Sequence, residues 1–152
     1  MHDAVSVRSA AIDDLKTIVD FNARMARETE NLELDRAVLT RGVRAALMDP
    51  HKALYFVAET DGSIVGQLMI TREWSDWRDG DIWWIQSVYV AEPARRGGVF
   101  RALFTHVEGL ARRQGVVAVR LYVEHRNAVA QATYERLGMH RSHYVIMEKP
   151  LA

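Results

Sequence analysis

Three observations predict an α/β layer fold for this chain, a mixed central sheet flanked by helices. Short apolar runs of strand character lie at 53–60, 64–70, 82–90 and 116–124. Apolar residues at helical spacing recur at 15–26, 35–48 and 99–111. The two kinds of segment interleave in the order β-α-α-β-β-β-α-β-α-β, which a single layered sheet accommodates.

The elements follow from local chemistry. Val5 and Val7 alternate with Ser6 and Arg8 as a short first strand. Asp13 and Asp14 precede the stripe Leu15, Ile18, Val19, Phe21, Met25 and Ala26, where acids favour a helix start. That helix is expected to reach about residue 28. A second helix runs from about Asp35 to Met48 and stops at Asp49-Pro50. The acidic connector between them, 27–33, reads either as a solvated loop or as a carboxylate lip.

Asp61-Gly62 separates two apolar runs and marks a hairpin. A polar insert bearing Trp74 and Trp77 is expected over 74–81, before Ile82–Val90, a strand apolar on both faces and therefore central. A third helical stripe, Phe100, Leu103, Phe104, Val107, Leu110 and Ala111, closes at Gly115. A strand is expected over Val116–Glu124. A helix from Asn127 to Gly138 follows, and a final strand spans Met139–Lys149.

Composition narrows the function. With 152 residues, one domain spanning 1–152 has enough chain for a real core. Twenty basic residues balance twenty acidic ones, so no global field calls for nucleic acid or an anionic membrane. There is no cysteine, which excludes disulfides, thiolate-bound zinc and a cysteine nucleophile. Met1-His2-Asp3-Ala4 lacks a charged-then-apolar leader, and no apolar run approaches the ~20 residues of a membrane span. A cytoplasmic protein is expected.

The chemically informative stretch joins the central strand to the third helix: Val88-Tyr89-Val90, then Arg95-Arg96-Gly97-Gly98-Val99-Phe100-Arg101. Amides at a helix start attract anions, glycines let an anion reach the backbone, and arginines add charge-assisted bonds. No Gly-Lys-Ser/Thr follows, and the spacing is not G-x-G-x-x-G. Arg95-x-x-Gly98-x-Phe100 resembles instead the acyl-CoA pyrophosphate loop of the GNAT superfamily of N-acetyltransferases, usually R/Q-x-x-G-x-G/A. Phe100 departs from that pattern, although its place in the apolar stripe lets its ring face the core while its N–H faces a phosphate. Asn127-x-x-Ala130-x-x-x-Tyr134-x-x-x-Gly138-Met139 resembles the second motif of the same family.

The resemblance implies acetyl-CoA as co-substrate, with no metal. Arg95, Arg96 and the amides of Gly97, Gly98, Val99 and Phe100 would hold the pyrophosphate, with Tyr89 and Arg101 alongside. Backbone groups of Val88 and Val90 would pair with the pantetheine arm. Asn127 would reach that arm or cap its own helix. Tyr134 would protonate the departing thiolate, or else be a packed aromatic beside Ala130, Thr133 and Leu137. The family's strand glutamate falls on Trp84, which is no base, so Glu28, Glu30, Glu73, Asp79 and Asp81 remain candidates through ordered water.

The resemblance implies a primary amine as acceptor, and the acidic connector with Glu28 and Glu30, together with Trp74 and Trp84, whose aromatic faces can hold a cation, favours a small cationic or amphipathic molecule. A protein lysine or N-terminal amine, and a non-catalytic acyl-CoA sensor, are the alternatives. His140 and His143 fall on opposite faces of their expected strand and no H-E-x-x-H occurs, which argues against a metal. The last apolar strand and the aromatic surface suggest a homodimer.

Overall fold

A computed structural model describes residues 4–152. Met1, His2 and Asp3, read above for a leader, lie outside the described residues. The chain divides into two compact units, one ending at Tyr122 and the other covering Val123–Ala152.

The larger unit holds a five-stranded sheet of β1 (Ser6–Ser9), β2 (Leu54–Thr60), β3 (Ser63–Ser75), β4 (Gly80–Val90) and β5 (Ala118–Leu121), in that spatial order. The first four strands are antiparallel and β5 joins β4 in parallel, so the sheet is mixed as expected. Helices α1 (Leu15–Glu30) and α2 (Arg36–Met48) precede β2, and α3 (Val99–Arg113) links β4 to β5. Asp35 caps α2 by accepting from the amides of Ala37 at 2.9 Å and Val38 at 3.2 Å. Asn31 ends α1 in the left-handed conformation at φ 51°.

Alternation along the strands sorts the two faces. Tyr55 and Val57 pack with Ile18 and Val19 of α1 and Val43 of α2, joined by Met69. Leu68, Ile70, Leu103 and Val107 are also buried, and Phe56 meets His106 of α3 edge-on at 5.3 Å. Each such side chain contributes about 1.5–3 kcal/mol through removal from water. Trp83, only 1% exposed, is core.

Two expectations need correction. The insert expected over 74–81 is half strand, because Trp74 pairs with Asp81 and Ser75 with Gly80, extending the hairpin outward. Only the four residues 76–79 turn, with Asp79 at φ 48°. A ladder is built from backbone groups, so polar side chains did not prevent it. The strand expected over Val116–Glu124 is confined to Ala118–Leu121.

In the smaller unit, α4 (Ala128–Arg136) forms as expected, capped by Asn127 and closed at Gly138 with φ 91°. The strand expected over Met139–Lys149 is absent among the described residues. Its apolar residues Val145 and Met147 are exposed. Alternation qualifies a segment for pairing, but only a partner's backbone makes it a strand, and no ladder engages this stretch.

Gly66 lets the start of α3 lie close to β3. A Cβ there would stand 2.7 Å from Val99 Cγ1 and 3.3 Å from the Tyr89 carbonyl oxygen. Gly66→Ala is therefore expected to destabilise by about 1–3 kcal/mol, lowering the melting midpoint by roughly 2–10 °C. An unchanged midpoint would mean that α3 shifts freely on the sheet.

Candidate active site

The central strand breaks its own regularity. Gln67 of β3 faces Tyr89 and Met69 faces Gln86, so Leu68 stands opposite both Ser87 and Val88. This is a β-bulge, with Ser87 at φ 52°. Gln67 Nε2 donates to the Ser87 carbonyl at 3.1 Å and to Asn22 Oδ1 at 3.2 Å, and Asn22 Nδ2 donates to Tyr55 Oη at 3.2 Å. All three side chains are buried, and burial pushes the Tyr55 phenol up. Gln67 Oε1 is a buried acceptor with no donor among the described residues.

Beyond the bulge, β4 outruns its parallel neighbour. The β4–β5 ladder ends at Ile85 opposite Leu121, whereas β4 continues to Val90. Backbone groups of Val88 and Val90 thus lie past the last rung. The chain then makes a 3₁₀ turn over Glu92–Ala94 and runs through exposed Arg95, Arg96, Gly97 and Gly98 into α3. Arg96 at φ 68° and Gly98 at φ 79° are left-handed, and Gly98, the N-cap of α3, has no side chain with which to cap it. Val99 is buried, the Phe100 ring packs 6.0 Å from that of Phe104, and Arg101 is exposed.

Arg95 is anchored on three sides. Its Nη2 pairs with Glu28 Oε2 at 2.7 Å, its Nε donates to the Val90 carbonyl at 2.9 Å, and its guanidinium lies 5.4 Å from the centre of the Tyr89 ring. Tyr89 Oη donates to Glu28 Oε1 at 3.1 Å. Arg95, with help from Tyr89, holds the Glu28 carboxyl below the usual range, while burial first and Glu28 second push the Tyr89 phenol up. The end of α1 is therefore tied to the loop that opens α3.

A second cluster spans three strands. Trp84 Nε1 donates to Glu73 Oε1 at 3.1 Å, Arg120 Nη1 lies 3.6 Å from Glu73 Oε2, and the Trp84 and Tyr122 rings stack at 4.6 Å with 25° between planes. The Arg120 guanidinium is 5.8 Å from the Trp84 ring centre. Trp74 is exposed three register positions farther along the hairpin, and Glu30 is exposed at the end of α1.

In the smaller unit, Asn127 Oδ1 accepts from the Ala130 amide at 3.1 Å, the capping arrangement weighed above. Tyr134 is half-buried on α4, and burial pushes its phenol up. Gln131 Nε2 donates to the carbonyls of Glu124 and His125, fixing the turn before the helix.

The model of the acetyltransferase (GNAT) family matches residues 15–139. The chain belongs to the GNAT family. A Clostridium difficile 630 protein described as a possible acetyltransferase is 45% identical, with a TM-score of 0.91 over 97% of this chain and 98% of that one. Mycothiol acetyltransferase of Streptomyces coelicolor is 31% identical over 142 residues, 90% of this chain. The chain spans only 43% of that relative's length. A predicted acetyltransferase with acetyl-CoA from Clostridium acetobutylicum shares the fold, at a TM-score of 0.78 over 96% of each chain and 16% identity.

Within this GNAT fold the structure brings Val88, Tyr89, Val90, Glu28 and the 95–98 loop into one neighbourhood, and it sets Trp84 apart with Glu73, Arg120 and Tyr122. Sequence reasoning missed Asn22, Gln67, Ser87, Arg120 and Tyr122. The first two carried a usable signal, since each is a polar residue within an apolar stripe.

Charge linkage at Glu28 is testable. An unfolded glutamate titrates near ~4.3, and the folded value is lower, so the pair's contribution is full above that range and is lost as pH falls through the folded value. Glu28→Gln is expected to lower the melting midpoint at pH 7, with the difference shrinking as pH falls below the ordinary glutamate range and shrinking in high salt. A deficit that does not change with pH would assign Glu28 a packing role.

Proposed function

We propose that this chain transfers acetyl from acetyl-CoA to a primary amine of a small molecule by direct attack. The observation that carries the reading is the β4–α3 junction, where an exposed Arg-Arg-Gly-Gly loop with two left-handed residues leads into a helix whose N-cap is a glycine. The amides of a helix's first turn and the helix dipole favour a pyrophosphate there. Arg96 and Arg101 are exposed beside it, and Arg95 can exchange Glu28 for a phosphate oxygen. The rungless end of β4 offers the Val88 backbone to a pantetheine arm, and family membership supports acetyl-CoA as donor.

In the transfer, the amine nitrogen attacks the thioester carbonyl carbon, a C–N bond forms and the C–S bond breaks. The attacking nitrogen gives up one proton and the departing thiolate takes one. Tyr134 is assigned to the second transfer, because its position in the Asn127–Met139 motif supports that role and its raised phenol stays protonated at neutral pH. Presenting a neutral alkylamine of pKa ~10.4 at pH 7 costs about 4–5 kcal/mol, at ~1.36 kcal/mol per unit. Glu28, committed to Arg95 and Tyr89, is a poor candidate for the base. Homodimerisation belongs to this reading as well, to be checked by molar mass in solution.

Acetyl-CoA at ~100 times its dissociation constant is expected to add about 2.7 kcal/mol and to raise the melting midpoint by roughly 5–10 °C. No shift at millimolar ligand would remove the reading. Tyr134→Phe is expected to lower kcat by about 100-fold or more while leaving that thermal shift intact. Undiminished turnover would return Tyr134 to a packing role.

A further inference from the structure

The cluster on β3, β4 and β5 contains an arginine whose donors are largely unspent. Arg120 approaches Glu73 only to 3.6 Å and donates no hydrogen bond among the described residues. Glu73 is meanwhile engaged by the Trp84 indole N–H at 3.1 Å. A guanidinium carries five N–H donors in a planar fork suited to a carboxylate. The Arg120 side chain is 29% exposed, so the fork is partly shielded yet reachable.

The surroundings select the ligand's charge. The indole of Trp84 is stacked on Tyr122 and has Arg120 beside its ring, so the cation at this aromatic is the protein's own. An incoming group that complements the cluster is therefore an anion. Tyr122, 54% exposed, presents an aromatic surface next to the guanidinium. The cluster also sits where the β4–β5 ladder stops, at Ile85 and Leu121, one residue from both Trp84 and Tyr122.

We propose that Arg120, backed by the Trp84–Tyr122 stack, is a carboxylate subsite for the acceptor, which is accordingly an amino acid with an apolar or aromatic side chain. Arg120 takes the carboxylate, Tyr122 packs against the apolar portion, and the α-amine is the nucleophile. Glu73 holds Arg120 and Trp84 in place and does not contact the amine. The assignment rests on the acetyl-transfer reading above and adds the acceptor class to it.

The test is CoA release with a matched pair of acceptors, phenylalanine and phenethylamine, which differ only in the carboxylate. The amino acid is expected to have a kcat/KM at least tenfold higher, and Arg120→Met is expected to lower the ratio of the two values at least tenfold. Arg120→Lys keeps the charge but not the fork and is expected to fall between. In the unaltered protein, N-acetylphenylalanine is expected to compete with the acceptor at least tenfold better than N-acetylphenethylamine, a readout independent of whether any variant folds. Equal or better use of phenethylamine, equal inhibition by the two products, or a ratio unmoved by Arg120→Met would each overturn the subsite. So would turnover of neither acceptor. In that event, a thermal shift with acetyl-CoA in the same preparation would leave the donor reading standing, and its loss would remove both.

Discussion

The hydrogen bond from Gln67 Nε2 to the Ser87 carbonyl is the contact on which the candidate site depends. Ser87 sits in a left-handed conformation that costs an L-residue roughly 1–2 kcal/mol, so something must hold it. A side-chain amide on the neighbouring strand does so from a fully buried position, with Asn22 and Tyr55 behind it. The bulge lets β4 change direction without leaving the sheet, because β3 resumes pairing through Gln67 and Tyr89. On the other side the ladder to β5 ends. One irregular residue thus separates a strand with two neighbours from one with a free margin.

That margin and the loop after it are stiffened differently. The bulge is held by neutral hydrogen bonds in the interior, where polar groups must be paired. The loop is held by an ion pair between half-exposed partners, Glu28 and Arg95, which solvent screens. Individually the surface pair is weak, but it has company: Tyr89 bonds to Glu28, and Arg95 bonds to the Val90 carbonyl. The deep network sets the geometry of β4, and the shallow one sets the posture of Arg95. A phosphate can compete for Arg95 because that pairing is shallow.

Individual residues show how far sequence could be read. Asp35, Asn127 and Gly138 were legible as helix ends because capping is local, requiring only the few residues on either side. The apolar stripe through Phe100 and Phe104 was legible because helical period puts them on one face. Trp74 was misread as part of an insert because a hairpin's length depends on backbone pairing, which side-chain polarity reports poorly. The stretch Met139–Lys149 was misread for the converse reason, having strand-like side chains and no ladder.

The sequence by itself determined the element order as far as α4, the mixed sheet and the strand–loop–helix junction with its arginines and glycines, since each follows from periodicity or from contacts spanning a few positions. Family membership was legible in the same motifs. Only the tertiary structure decided that Glu28 would meet Arg95 across 67 positions, that Gln67 would hold Ser87 across 20, and that Glu73, Trp84, Arg120 and Tyr122 would form one cluster. The physical reason is register. Which side chains become neighbours across a sheet depends on where each ladder begins and where a bulge shifts it, and that is settled by packing over the whole unit rather than by any local run of residues.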